Sequence, residues 1–154
     1  MAIRLREAVA DDSTFIFDVR RQAFRDYVEL DSGWDDVREL ERHRERFSRQ
    51  RFRVIVSHST DVGYMTTGVY SRDTGDYPAG LYLHQLMILP AFHGKGIGSA
   101  CFRLLIDEAR ESQMPLRLSV LRVNPRALAF YLAAGCEIVG ESGSHIRLAF
   151  DMRS

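Results

Sequence analysis

The stretch LYLHQLMILPAFHGKGIGS, from Leu81 to Ser99, decides how the rest of the chain is read. Its first half, Leu81 to Leu89, is apolar apart from His84 and Gln85, which suits a central strand covered on both faces. Pro90 ends it, because a proline has no N–H to give a sheet ladder. Gly94, Gly96 and Gly98 then alternate with Lys95 and Ile97 ahead of Ser99. Glycines so spaced permit backbone angles that other residues resist, and they let several N–H groups turn towards one point. A helix opening there adds its positive end, so a phosphate-bearing ligand is the expected guest.

Downstream of this loop, Ile97, Cys101, Leu104, Leu105 and Ala109 mark the apolar stripe of a helix ending before Pro115. Leu116, Leu118 and Val120 alternate as a strand, and a helix of crossover length makes it parallel to Leu81–Leu89. Asn124 as N-cap and Pro125 in the first turn start another helix, with Ala127, Phe130, Tyr131 and Ala134 inward and Gly135 as its stop. Ile138-Val139 and Ile146, Leu148 and Phe150 predict a closing hairpin across Gly140 to Ser144.

Upstream, Ile3 and Leu5 alternate with Arg4 and Arg6 as a first strand. Asp11, Asp12 and Ser13 offer N-caps to a helix carrying Ile16, Val19, Ala23, Tyr27 and Val28, broken at Asp31-Ser32-Gly33. Trp34 opens a second helix, with Val37, Leu40, Arg44 and Phe47 on one side and a charged, solvated face opposite. Phe52 to His58 and Val62 to Tyr70 read as strands joined by Ser59-Thr60-Asp61, and Ser71 to Pro78 as a loop. No linker or repeat interrupts the chain, so residues 1–154 are expected to form one mixed α/β domain.

Composition narrows the function classes. Lys and Arg total 21 and Asp and Glu total 21, so no overall field favours nucleic acid or an anionic membrane. No apolar run approaches the roughly 18 residues of a membrane span, and the N-terminus lacks a signal-type apolar region, which suggests a cytoplasmic protein. Cys101 and Cys136 have neither metal-ligand nor disulfide spacing, so no metal is expected.

The loop fails two familiar phosphate patterns. G-x-G-x-x-G needs a glycine at Ser99, and a P-loop needs Ser or Thr after Lys95. His93-Gly94-Lys95-Gly96-Ile97-Gly98 instead resembles [Q/R]-x-x-G-x-[G/A], the pyrophosphate loop of the GNAT superfamily of acyl-CoA-dependent N-acyltransferases, with His93 in place of Gln or Arg. Asn124-Pro125-Arg126-Ala127, Phe130-Tyr131 and Gly135-Cys136 resemble the superfamily's N-x-x-A-x-x-x-Y-x-x-x-G-F segment, with Cys136 for Phe. The element order matches that fold over nearly the whole chain.

The resemblance implies acetyl transfer from acetyl-CoA to a primary amine of a small molecule or peptide, by direct attack. Such a reaction must deprotonate the amine, stabilise an oxyanion and capture a thiolate. Neutralising an amine of pKa near 10.4 at pH 7 costs about 4.6 kcal/mol, part of which a general base offsets. Strand parity puts Tyr82, His84, Leu86 and Ile88 on one face, and LHQLMI resembles the L-H-x-L-x-V of aralkylamine N-acetyltransferases, so His84 is the candidate base. A backbone N–H at Ile88, with neighbours Met87 and Leu86, matches the family's donor to the thioester carbonyl.

Tyr131 matches the proton donor to the leaving thiolate, and Asn124 a contact to the pantetheine arm. Lys95, Arg122 and Arg126 are candidates for the CoA phosphates, and Tyr27, Trp34 and Tyr82 for the acceptor pocket. For each of these side chains, packing, capping or simple solvation is the competing explanation. An acyl-cysteine route is disfavoured, since neither cysteine sits beside a recognisable base. A non-catalytic acyl-CoA sensor on the same fold, and a different phosphate-ligand binder, are the alternatives. The family's habits also leave a homodimer open.

Overall fold

A computed structural model of the chain describes residues 2–73, 78–150 and 152. Part of the loop expected over Ser71 to Pro78, namely 74–77, lies outside the described residues. In chain order the elements are β1 (Ile3–Glu7), α1 (Ser13–Asp31), α2 (Asp36–Arg49), β2 (Arg51–Ser57), β3 (Thr60–Tyr70), β4 (Gly80–Ile88), α3 (Ile97–Ser112), β5 (Leu116–Leu121), α4 (Pro125–Ala133), β6 (Cys136–Ser142) and β7 (His145–Phe150). The strand order is β1-β2-β3-β4-β5-β7-β6. It is a mostly antiparallel sheet with one parallel pair, β4 with β5, as the crossover helix required. The chain divides into two compact units: Met1–Thr67 with Gln85–Cys101, and Gly68–His84 with Phe102–Ser154.

In the first unit, β2 is buried on both faces, which is why its sequence reads as a nearly unbroken apolar run. Val54 and Val56 join Ile16, Val19, Phe52 and Tyr64 in one cluster, while Ile55 joins Val62, Ile97 and Cys101 in another. The end of the decisive strand divides the same way: Met87 and Leu89 pack on the first cluster, Leu86 and Ile88 on the second. That is the twofold period of an extended chain.

Three expectations for this unit need correction. The N-cap carboxylate of Asp12 does not cap α1; it accepts from Val9 N–H at 2.8 Å and from Arg6 at 2.8 and 2.9 Å. The Arg6 hydrogen bonds hold the Asp12 carboxyl below its ordinary pKa. The turn between β2 and β3 falls at His58 and Ser59, both with positive φ, rather than at Ser59-Thr60-Asp61. The third correction concerns α2, whose buried residues are Glu39 and His43, whereas Val37 is 69% exposed and Arg44 is exposed. Glu39 is inside because Arg20 of α1 reaches it at 3.3 Å, and His43 because it packs among the rings of Phe17, Phe47 and Phe52.

In the second unit, Leu81↔Leu116, Tyr82↔Arg117 and Leu83↔Leu118 form the parallel register, and β7 lies between β5 and β6. Phe102 of α3 is buried against Phe130, Tyr131 and Phe150, while Leu104, expected in the stripe, is 37% exposed. Phe102 takes the inward place on α3, and Leu104, two positions further along, turns partly outward. Asn124 Oδ1 accepts from Ala127 N–H at 3.1 Å, the expected N-cap, and Gly135 (φ +106°) ends α4 as expected. The last hairpin turns at Gly143 (φ +58°) and Ser144, so β6 continues through Gly140.

Candidate functional site

The first unit carries the loop. A short 3-10 turn, Pro90–Phe92, follows β4, and Gly94 (φ +75°) and Gly96 (φ +80°) then adopt the left-handed conformation. Two of the three loop glycines are therefore at unusual angles, while Gly98 lies within α3 without a positive φ. The first helical acceptor, Gly96 O, takes Ala100 N–H at 3.1 Å. Helix geometry leaves the N–H groups of Ile97, Gly98 and Ser99 ahead of any intrahelical acceptor. Left-handed glycines followed by a helix N-terminus make a cradle that suits a pyrophosphate.

His93 stands at the head of this loop, and its Nε2 is 2.6 Å from the carbonyl oxygen of Ile88. A carbonyl only accepts, so Nε2 bears the proton in that bond. The Ile88 peptide is defined from β3 as well. Leu89 N–H donates to Val62 O at 2.9 Å, and a Cβ placed on Gly63 would overlap the Met87 carbonyl oxygen and lie 3.0 Å from Ile88 Cα. Residues 87 and 89 thus address β3. Successive residues of a strand address opposite edges, so the polar groups of Ile88 face away from β3. Its carbonyl is taken by His93, and its N–H points the same way. The extra residue of a β-bulge, Val62 opposite the step from Ile55 to Val56, lies beside this contact.

The second unit carries the imidazole. His84 Nε2 is 3.2 Å from the hydroxyl of Tyr70 on β3, and the His84 ring stacks on Tyr82 with centroids 5.9 Å apart. Tyr131 on α4 is 8% exposed, and burial first, then Cys136, pushes its phenol well above the ordinary value. It is a protonated group at neutral pH, as a proton donor must be. Burial likewise pushes the thiols up, Cys101 to about 12 and Cys136 to about 11, which leaves almost no thiolate for nucleophilic attack.

A family model described as the acetyltransferase (GNAT) family matches residues 15–136. The chain belongs to the GNAT acetyltransferase family. Its fold is similar to the PaiA N-acetyltransferase of Thermoplasma acidophilum in complex with coenzyme A, at 17% identity over 98% of this chain and 99% of that one, with a TM-score of 0.75. It is similar too to an acetyltransferase from Thermus thermophilus, at 19% identity over 97% and 96% of the two chains, TM-score 0.75. A spermidine N-acetyltransferase chimera from Vibrio cholerae and hSSAT matches at 18% identity, over 97% of each chain, TM-score 0.67. No curated protein matches the sequence. At such identities the likeness establishes the fold.

Within this GNAT chain the remaining candidates fall as follows. Lys95 is exposed, its ammonium 5.7 Å from the Phe92 ring centroid, and Arg126 is exposed on the first turn of α4. Arg122 is held on the last hairpin by Glu141, at 3.1 Å, and by Gly143 O. Tyr27 packs on Phe24; Trp34 donates to Asp36 at 2.6 Å and lies beside Phe17 and Arg20. The side chains of Leu86, Met87 and Ile88 belong to the core, leaving their backbone as the chemically available part. His58 and His145 are exposed.

Sequence reading passed over Gly63, Gly68 and Tyr70. A signal existed: glycines inside a strand mark close backbone or side-chain approach, and β3 has two.

Proposed function

We propose that this chain acts as one domain over residues 1–154 and transfers an acetyl group from acetyl-CoA to a primary amine of a small molecule or peptide by direct attack. The observation that carries the reading is the Ile88 peptide. It sits immediately before the glycine cradle, its carbonyl is fixed by His93 and its N–H is directed away from β3. A fixed backbone donor ahead of a pyrophosphate loop is what acyl transfer from a CoA thioester demands.

Acetyl-CoA supplies an activated acyl carbon and a thiolate leaving group. The backbone N–H groups from Gly94 to Ser99 hold the pyrophosphate, with Lys95 and Arg126 adding charge near the phosphates. Ile88 N–H, flanked by Leu86 and Met87, donates to the acyl carbonyl oxygen as negative charge develops on it. His84 takes a proton from the attacking amine nitrogen, and Tyr131 gives its phenolic proton to the departing sulfur. Solvent exchange then restores both groups. Asn124, beyond capping α4, offers its amide nitrogen to the pantetheine arm, and Tyr27, Trp34 and Tyr82 contact the acceptor. The expected compartment is the cytoplasm, and among the described residues no helix is long and apolar enough to cross a membrane.

A thermal-shift titration with CoA and acetyl-CoA, beside ATP and NAD, tests the donor. Ligand at 100-fold over its dissociation constant adds about 2.7 kcal/mol, or several degrees in Tm at this chain length. A rise selective for the CoA species, followed by amine-dependent thiol release, is expected. Folded protein that responds to none of the four contradicts the cradle; binding without release for any amine replaces the transferase with an acyl-CoA sensor.

A further inference from the structure

We propose that the amine acceptor carries a carboxylate, as an amino acid or short peptide does, and that Arg20 of α1 and Arg46 of α2 bind it; this rests on the acetyl-transfer reading. Both arginines belong to the first compact unit. Glu39, His43 and Arg46 recur at helical spacing on α2, so they share the face turned towards α1 and β2. Glu39 is 1% exposed and Arg20, across from it, 6%.

The cluster holds more positive charge than it balances. Arg20 Nη2 lies 3.3 Å from Glu39 Oε2, yet without hydrogen-bond geometry. Arg20 Nε and Nη1 and Arg46 Nη1 are buried with no hydrogen-bond partner among the described residues. Glu39 is also shared with Arg42, which comes within 3.9 Å of its other oxygen from the exposed side. One carboxylate thus stands against two inward guanidiniums. Burial first, then Arg20, holds Arg46 below its ordinary pKa, as expected of like charges brought together. A structural ion pair between the helices needs only one of these arginines. Buried polar groups without partners call for an occupant, and a buried charge calls for a counter-charge. Internal water accepts from the N–H groups but brings no charge. A carboxylate supplies both, and its two oxygens match the fork of a guanidinium.

The cluster adjoins the candidate acyl site along one strand. Tyr64 Oη donates to Gln85 Oε1 on β4, three residues ahead of Ile88. Burial pushes the Tyr64 phenol up while Arg20 and Arg46 both pull it down, so the two guanidiniums act on the atom that meets Gln85. Trp34 stands over Arg20, with the guanidinium carbon 5.7 Å from its ring centroid. It belongs to the connection between α1 and α2, where Gly33 is left-handed, and not to either helix. Displacing Trp34 therefore opens a way to Arg20 without unwinding an element.

The test pairs each of L-lysine, L-phenylalanine and glycylglycine with its own carboxamide, which keeps the shape and removes the charge. Spermidine serves as the polycationic comparison. Thiol release from acetyl-CoA and thermal shift in the presence of CoA are measured on the full-length protein at constant ionic strength. The carboxylated member of at least one pair should raise Tm more than its amide. Its kcat/KM should exceed that of the amide roughly 10-fold to 100-fold, the range of hydrogen bonds between charged groups. Arg46→Gln should bring that ratio close to one, and Arg46→Lys, which keeps the charge without the fork, should leave it in between. A retained CoA-induced shift certifies that both variants fold. Acids and amides that bind and react alike overturn the proposal while acetyl transfer stands. So does a preference for the acids that survives Arg46→Gln, or spermidine as the best acceptor. If no amine releases thiol, yet the acids alone raise Tm and Arg46→Gln removes the rise, the transferase reading falls and the carboxylate site stands.

Discussion

Two sets of glycines serve this protein for opposite reasons. In the glycine loop, Gly94 has room but an awkward backbone: it sits at φ +75°, with nothing within 4 Å of where a Cβ would be. Those of β3 have an ordinary extended backbone but no room, since a Cβ on Gly63 meets the Met87 carbonyl and one on Gly68 meets His84. In the loop the missing side chain frees two dihedrals. In the strand it frees a volume, and into that volume the fold places a peptide at one position and an imidazole at the other. The same residue type thus reports conformational freedom in one region and close packing in the other.

The sharpest way to break this comparison is Gly63→Ala. The overlap is with backbone, which cannot rotate aside, so β3 and the end of β4 must separate and the Leu89–Val62 hydrogen bond weakens. We expect a loss of about 3 kcal/mol, at the upper end of overpacking effects, read as a fall in denaturant midpoint with unchanged m. Gly63→Ala with wild-type stability would show that the strands hold no such close approach.

Gly94 should behave differently. Gly94→Ala is expected to cost about 1–2 kcal/mol from left-handed backbone alone, and Gly94→Asn clearly less, because asparagine tolerates that region. Asparagine should bring no relief at Gly63, where the obstacle is volume. Equal effects of Ala and Asn at Gly94 would put its cost down to space after all.

A smaller effect is expected where loop and strand are joined by a side chain. His93→Ala removes the 2.6 Å bond to Ile88 O and should lower kcat roughly fivefold, while His93→Gln, which retains a donor, should lower it less. Unaltered turnover in His93→Ala would mean that the Ile88 peptide is held by β3 alone. At the bottom of the scale, burial holds the Cys101 and Cys136 thiols near 12 and 11, so deprotonation is slight at pH 8 and grows only as pH rises. Alkylation of the native protein at pH 8 should be far slower than of the unfolded chain; equal rates would show that these thiols are not shielded.

Much of the architecture was legible because its signals are local. Pro90, the alternating glycines, the Asn124-Pro125 helix start and the Gly135 stop each act through the dihedrals or hydrogen bonds of a few neighbouring residues. The parallel β4–β5 pair followed from chain length, since a helix of crossover size brings a strand back in the same direction. Two motifs at their proper separation then pointed to the family. His84 and Tyr131 stood out as residues able to move protons, while Tyr70 read as another aromatic near a strand end. Its relevance depends on Gly68 and His84, and Gly68 lacks any chemistry of its own to draw notice.

What the sequence determined by itself was therefore the order of elements, the glycine loop and the family. What only the tertiary structure decided was which faces are buried and which atoms meet. On α2 the apolar Val37 is outside while Glu39 and His43 are inside, because partners on α1 and β2 offset the cost of burying polar groups. At the candidate site, the direction of the Ile88 polar groups was decided by β3, through Gly63 and Val62, and by His93. Dihedral preferences are properties of neighbouring residues. Burial and hydrogen-bond direction depend on residues far apart in the chain, and those become neighbours only once the sheet has formed.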